Sequence, residues 1–174
     1  MQVPYVIDNQ QHKLADVLNG LLRRFESRSM DIASAYFSIR GFELLQDDLE
    51  NVGSLRLLLG ARVRSGEDVG LRPGEYELPR LIGEELGSEP FDEKTMRLVE
   101  DLIAFLRQDN VRVRAYDKGF LHAKCYLLYG DKPGERFIWD RFQPLVGIVG
   151  SSNFTGPGLT SNREMNLTHR VLLD

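Results

Sequence analysis

The sequence predicts a single α/β domain built around a mixed sheet, and three observations predict it. Strand-like and helix-like segments alternate through the first two thirds of the chain, and the last third reads almost entirely as strand. At 174 residues and 42% hydrophobic, the chain is long enough for one sizeable core and short for two. The whole length, 1–174, is therefore read as one domain.

The elements follow from their periods. Between 11 and 26, Leu14, Val17, Leu18, Leu21, Leu22 and Phe25 recur at three and four, one apolar helical face. Residues 30–38 are mostly small or apolar (Ile32, Ala33, Ala35, Tyr36, Phe37), the composition of a strand covered on both faces. A short helix over 41–51 carries Phe42, Leu44, Leu45 and Leu49, and a buried strand, LRLLLGA, follows it. Glycine and proline mark 62–78 as loop. The clearest helix spans 92–109, with Met96, Leu98, Val99, Leu102, Ile103, Phe105 and Leu106 as its apolar set. VRVRAY then alternates strictly, Val111, Val113 and Ala115 inward and Arg112 and Arg114 outward. LHAKCYLLY, PLVGIVG and MNLTHRVLL complete the strands, with a polar insertion over 130–144 between the first two. No internal repeat or low-complexity segment appears.

Composition narrows the function classes. One cysteine, Cys125, precludes an internal disulfide and fits a reducing compartment. No apolar run reaches the length of a membrane span and the N-terminus is no signal peptide, so a soluble, cytoplasmic protein with no membrane partner is expected. The net charge of −4 is not the basic footprint of a nucleic-acid binder. The charge is unevenly spread, however. Glu84, Glu85, Glu89, Asp92, Glu93, Glu100 and Asp101 crowd one stretch, while Arg107, Arg112, Arg114, Lys118 and Lys124 follow in the next. An acidic helix face with a basic rim beside the site reconciles these runs, as do ordinary solvated faces.

The chemistry-bearing residues lie in the C-terminal half. His122 and Lys124 are two apart, so on an extended strand they project from one face. Gly150, Ser151 and Asn153 follow the PLVGIVG strand, and Glu164 comes from the next turn. A base or nucleophile, a fixed cation, neutral donors and a carboxylate together suit a phosphate. His122 is the candidate nucleophile, since neutral imidazole attacks phosphorus near pH 7 without activation. Lys124 would place a point charge against a non-bridging oxygen. Ser151 and Asn153 would donate to phosphate from a strand's C-terminal end, and Glu164 would fix the imidazole tautomer. The plainer alternatives are a core histidine, a surface lysine, a turn-forming Ser-Ser-Asn and a surface carboxylate. Arg112, Arg114 and Lys118 are candidates to track a nucleic-acid backbone. Tyr36 and Phe120 are either pocket walls or core, Cys125 reads as packing, and neither His12, on the first helix, nor His169 is a credible metal ligand. No Cys/His cluster or acidic repeat offers a metal cage, so no cofactor is expected and the chemistry is read as metal-independent.

Phe120-Leu121-His122-Ala123-Lys124, with GSSNFTGPGLTSNRE downstream, resembles the signature of the phospholipase D superfamily. That signature runs His-x-Lys, four residues, Asp, then Gly-Ser-x-Asn. The Asn153 and Glu164 pair is most similar to its nuclease branch, and MDIASAYFS and SLRLLLGA resemble its first core strands. The chain departs from the signature at Tyr129, where the signature has Asp, and Asp131 comes two positions late. The resemblance implies a phospholipase D-like α/β/α sandwich with a mixed, mostly parallel central sheet. It implies a nuclease or phosphodiesterase working through a phosphohistidine on His122, with Lys124, Asn153 and Glu164 completing the site. The resemblance to the nuclease branch implies DNA as substrate, and because members with one signature pair it across a twofold axis, a homodimer sharing one composite site is expected. The opening, with YVIDNQ and LLLGARVRSGEDVGLRP, resembles domains fused in front of bacterial superfamily-two helicases, which implies a fragment of a helicase or restriction-type protein, with ATP bound elsewhere in it. Two alternatives stay open: a nucleic-acid-binding module with a degraded signature, and a hydrolase of phospholipids or small phosphodiesters.

Overall fold

A computed structural model of the chain describes residues 3–60, 93–130 and 144–171. Its elements, in order, are β1 (Val6–Ile7), α1 (Leu14–Arg24), β2 (Ser29–Ser34), α2 (Ile39–Glu43), α3 (Gln46–Leu49), β3 (Ser54–Gly60), α4 (Glu93–Leu106), β4 (Val111–Tyr116), β5 (Lys124–Tyr129), β6 (Pro144–Gly150), α5 (Gly156–Thr160) and β7 (Asn166–Arg170). The predicted loop over 62–78, Glu84 to Asp92 and the insertion around Asp131 lie outside the described residues.

The strands form one sheet in the order β1-β7-β6-β5-β2-β3-β4. The α/β class and the mixed sheet agree with the sequence expectation. The balance of directions does not: only β2–β3 and β3–β4 are parallel, and the other four pairings are antiparallel. The reason lies in the connections. Parallel neighbours need a crossover, which α2–α3 supplies between β2 and β3. β5, β6 and β7 follow one another as sheet neighbours with at most a five-residue helix among their described connections, so they fold back as a meander.

One face of this sheet carries the core. Met30, Ile32, Leu55, Leu57, Leu59, Tyr126, Leu128, Val146 and Ile148 project from it and are buried. Buried side chains of all five described helices join the same cluster, including Leu14, Leu18, Phe42, Leu49, Leu102 and Leu159. The Phe42 and Phe105 rings meet at 5.3 Å between centroids and tie α2 to α4. Not every apolar residue of the helical runs goes inside: Met96 and Ile103 are 46% and 37% exposed. They are seven apart and share one stripe, so the α4 pattern is wider than the face the sheet covers. The predicted helix over 41–51 is two short ones, α2 and α3, and Leu44 between them is exposed. VRVRAY alternates as expected, with Val111 buried and Arg112 and Arg114 exposed.

Local chemistry closes the termini. Ser38 caps α2 by accepting from the Gly41 amide, and Thr155 caps α5 by accepting from the Gly158 amide. Asn9, at φ 61°, accepts from the Leu14 amide and donates to the Gly158 carbonyl at 2.8 Å, joining the N-terminal segment to α5.

Candidate active site

Because β5 runs against β2 and β6, the end of β2, the end of β6 and the starts of β5 and β7 meet at one end of the sheet. In register, Ser34 faces Lys124 and Gly150 faces Asn166. His122, Lys124, Ser151, Asn153 and Glu164 all hang from this end, where ligands collect in open α/β sheets.

Lys124 opens β5 and turns its side chain to the core face, where it is 5% exposed. Its Nζ donates to the His122 carbonyl at 3.0 Å. Among the described residues no carboxylate lies within 4.0 Å of it. Burial therefore pulls its pKa below 10.5, and the Glu164 carboxylate, within electrostatic reach, partly opposes this. His122 differs from expectation in its support: it lies in the segment before β5 rather than on the strand. Its imidazole is exposed and stacks on the Phe120 ring at 5.4 Å, and Phe120 is itself 61% exposed. Gly60 makes room for that segment: a Cβ there would sit 2.8 Å from the Ala35 carbonyl oxygen and 3.1 Å from that of Leu121.

Asn153 is oriented by two groups at the end of β2. Its Oδ1 accepts from the Tyr36 amide at 3.2 Å and lies 3.5 Å from Ser34 Oγ. With the oxygen held there, the amide NH2 faces the other way, and among the described residues nothing accepts from its two donors. Ser151 Oγ donates to Glu164 Oε2 and accepts from the Met165 amide at 3.0 Å. Its one proton is thus committed to Glu164, and in this structure Ser151 holds that carboxylate in place. Asn162 Nδ2 approaches the other Glu164 oxygen at 3.5 Å.

Sequence reasoning missed the frame behind these groups. Ser34, fully buried, donates to the Tyr36 carbonyl at 2.6 Å and accepts from the Phe154 amide at 2.8 Å, fixing the turn that carries Asn153. Ser38 accepts from the Gly156 amide as well as from α2. Asn166, 1% exposed, accepts from the Ser152 amide and donates to Ser152 Oγ at 2.8 Å. Ser38 was legible as a helix cap ahead of an apolar run, whereas the partners of Ser34 and Asn166 are too distant in sequence to leave a local pattern. Gly150 is demanded by the β6–β7 approach: a Cβ there would lie 2.2 Å from the Met165 carbonyl oxygen and 2.6 Å from Asn166 Cα. Gly150→Ala is expected to cost about 1–3 kcal/mol through this overlap, measured as a lower thermal midpoint.

The other predicted residues lie further out. Arg112 and Arg114 project from the sheet face opposite Lys124, and Lys118 is exposed in the β4–β5 connection. Cys125 is half-buried on that opposite face, where burial pushes its thiol pKa up. Tyr36 is 38% exposed, so it is not core. His12 lies in the turn before α1 rather than on it, and His169 is exposed on β7. Among the described residues no group of three or more His, Cys, Asp or Glu side chains is arranged to hold a metal. No described helix is long and apolar enough to cross a membrane.

Tyr129, where the signature has Asp, sits at the far end of β5, about 16 Å from Lys124 by strand rise and on the opposite face. Its hydroxyl donates to Asp31 Oδ2 at 2.8 Å, and Arg56 Nε donates to Asp31 Oδ1 at 2.7 Å. A carboxylate is thus present beside position 129, supplied by β2. Tyr129→Phe is expected to lower stability by about 0.5–1.5 kcal/mol in denaturant melts and to leave turnover unchanged.

The family described as "Cardiolipin synthase, PLD-like domain" matches residues 24–170. No curated protein matches the chain. Among solved structures, polyphosphate kinase from Porphyromonas gingivalis is similar at 15% identity and TM-score 0.49, over 95% of this chain and 23% of that one. NucT from Helicobacter pylori is similar at 12% identity and TM-score 0.46, over 94% and 82% of the two chains. Yeast tyrosyl-DNA phosphodiesterase is similar at 11% identity and TM-score 0.39, over 81% and 25%. The chain thus spans about a quarter of the length of the first and third.

Proposed function

Because the chain belongs to the PLD-like domain family, we propose that it is a metal-independent phosphodiesterase that cleaves DNA through a phosphohistidine on His122. The observation that carries this reading is Lys124: a cation held 5% exposed at a strand end, without an ion pair among the described residues, and facing the neighbourhood of Glu164 and Asn153. A lone buried ammonium is unfavourable unless an anion completes it.

In the proposed reaction, an imidazole nitrogen of His122 attacks phosphorus. A P–N bond forms while the P–O bond to one nucleoside breaks, and the departing oxygen takes the electron pair and a proton. Water then attacks the phosphohistidine and gives up a proton to the group that protonated the leaving oxygen, the P–N bond breaks, and the electron pair returns to the imidazole. Lys124 and the Asn153 NH2 stabilise the charge on the non-bridging oxygens. Glu164, held by Ser151, stabilises the imidazolium. The proton for the leaving oxygen needs a second acid, and the chain has one histidine in the required place. We assign that role to His122 of a second copy, in a twofold dimer with one composite site. An N-terminal place in a helicase or restriction-type protein is part of the proposal, resting on the upstream resemblance alone.

The test is incubation of the protein with single- and double-stranded DNA in EDTA. Cleavage that persists in EDTA supports the reading. DNA binding without cleavage favours a binding module, and turnover of a chromogenic phosphodiester without DNA affinity favours a small-substrate hydrolase. Sedimentation supplies the dimer test: an active species at twice the chain mass is expected, and a fully active monomer contradicts it.

A further inference from the structure

Two aromatic residues at the active end of the sheet have no part in the core or in the proposed chemistry. Phe120 is 61% exposed and Tyr36 is 38% exposed, and neither belongs to the core cluster. Phe120 comes two residues before His122 and stacks on its imidazole, with centroids 5.4 Å and planes 25° apart. Tyr36 donates its backbone amide to Asn153 Oδ1 at 3.2 Å. The two segments converge at Gly60, where the carbonyl oxygens of Ala35 and Leu121 both lie within 3.1 Å of the point a Cβ would occupy. One exposed aromatic residue thus adjoins the candidate nucleophile, and another adjoins the side chain whose amide faces the phosphate.

The Phe120 ring is engaged on one side. Among the described residues His122 is the one ring it meets. With one face against the imidazole, an exposure of 61% leaves most of the other face open. A planar group laid there would extend the existing stack by one member, beside the phosphorus under attack. A nucleobase has such a face. In a duplex, however, both faces of a base are covered by neighbouring pairs, so only an unpaired base turns onto a side chain. Acyl chains have no planar face to offer. We propose that Phe120 and Tyr36 set the substrate of this site as single-stranded DNA. The base on one side of the scissile phosphate stacks on the outer face of Phe120, and the base on the other side meets Tyr36. The inference rests on the reading of His122, Lys124 and Asn153 as the phosphate site and adds which form of DNA enters it. Charge does not choose between the forms, because both carry phosphates; the rings do.

The test is read as binding, so it does not depend on cleavage. The background is His122→Ala, which removes the proposed nucleophile and leaves the outer face of Phe120 in place. A labelled short thymidine oligomer, the same sugar–phosphate backbone without bases and a matched duplex are each titrated by fluorescence anisotropy. The oligomer is expected to bind about twentyfold or more tightly than the baseless backbone, and more tightly than the duplex. Adding Phe120→Ala or Tyr36→Ala is expected to lower the preference over the baseless backbone by about fivefold each. Phe120→Trp, which keeps a stacking face, is expected to retain it. The proposal is overturned if the baseless backbone or the duplex binds as tightly as the oligomer, or if no DNA binds. It is equally overturned if the preference survives either alanine substitution or is lost in Phe120→Trp. Failure of the catalytic reading looks different: a wild type that never cuts DNA, with the ring-dependent preference intact, removes the phosphohistidine and leaves the stacking. Cleavage accompanied by base-blind binding sinks the stacking alone.

Discussion

His122→Ala is expected to slow cleavage of a DNA phosphodiester by about two to four orders of magnitude in single-turnover assays, with little change in thermal midpoint. The second half follows from exposure. The imidazole lies outside the core, stacked on a ring that is itself 61% exposed, so its removal leaves no core cavity and no orphaned partner among the described residues. A residue with little structural work and a large kinetic effect is the pattern of a reacting group. A drop in rate matched by loss of fold would instead make His122 a structural residue. Phe120→Ala is the natural companion variant, since it removes the ring under the imidazole without touching the reacting atom.

Lys124→Met is expected to lower turnover by about two to three orders of magnitude and to raise stability. The two effects share a cause. Lys124 is buried at the core face without an ion pair among the described residues, so the folded protein bears the desolvation of an ammonium. Methionine of similar length removes that penalty. The pH dependence has a definite sign. Burial lowers the folded pKa below 10.5, so between the two values the unfolded chain holds more protons and wild-type stability rises with pH through that window. In Lys124→Met that rise should be absent. Denaturant melts across alkaline pH check this, and a variant less stable than wild type at neutral pH would contradict it.

Much of the fold was legible because its signals are local. VRVRAY and PLVGIVG coincide with β4 and β6 to the residue, since strict alternation or an unbroken apolar run bounded by glycine and loop leaves little choice. The direction of strand pairing was not legible, because it depends on which strands become neighbours rather than on any strand's own pattern. Runs such as MDIASAYFS also read longer than they are. β2 ends at Ser34, where the buried hydroxyl takes up backbone partners and turns the chain towards Asn153. At the site, the residue types and their convergence on one sheet end followed from the motif and from strand order. The orientation of Asn153, the hold of Ser151 on Glu164 and the partner of Tyr129 did not follow, because each depends on contacts between segments far apart in sequence. Tyr129 is the instructive case: the position where the motif has Asp lies at the far end of the strand and on its other face, where its hydroxyl donates to Asp31.

The most direct measurement is a rapid quench of the protein with DNA labelled at phosphorus, in EDTA, under alkaline conditions that preserve phosphoramidates, followed by peptide mass spectrometry. A nucleotide joined through a P–N (phosphoramidate) bond to the peptide carrying His122, absent from His122→Ala, is the predicted result. Cleavage that proceeds in the wild type with no adduct on that imidazole, or with the adduct on another side chain, contradicts the account.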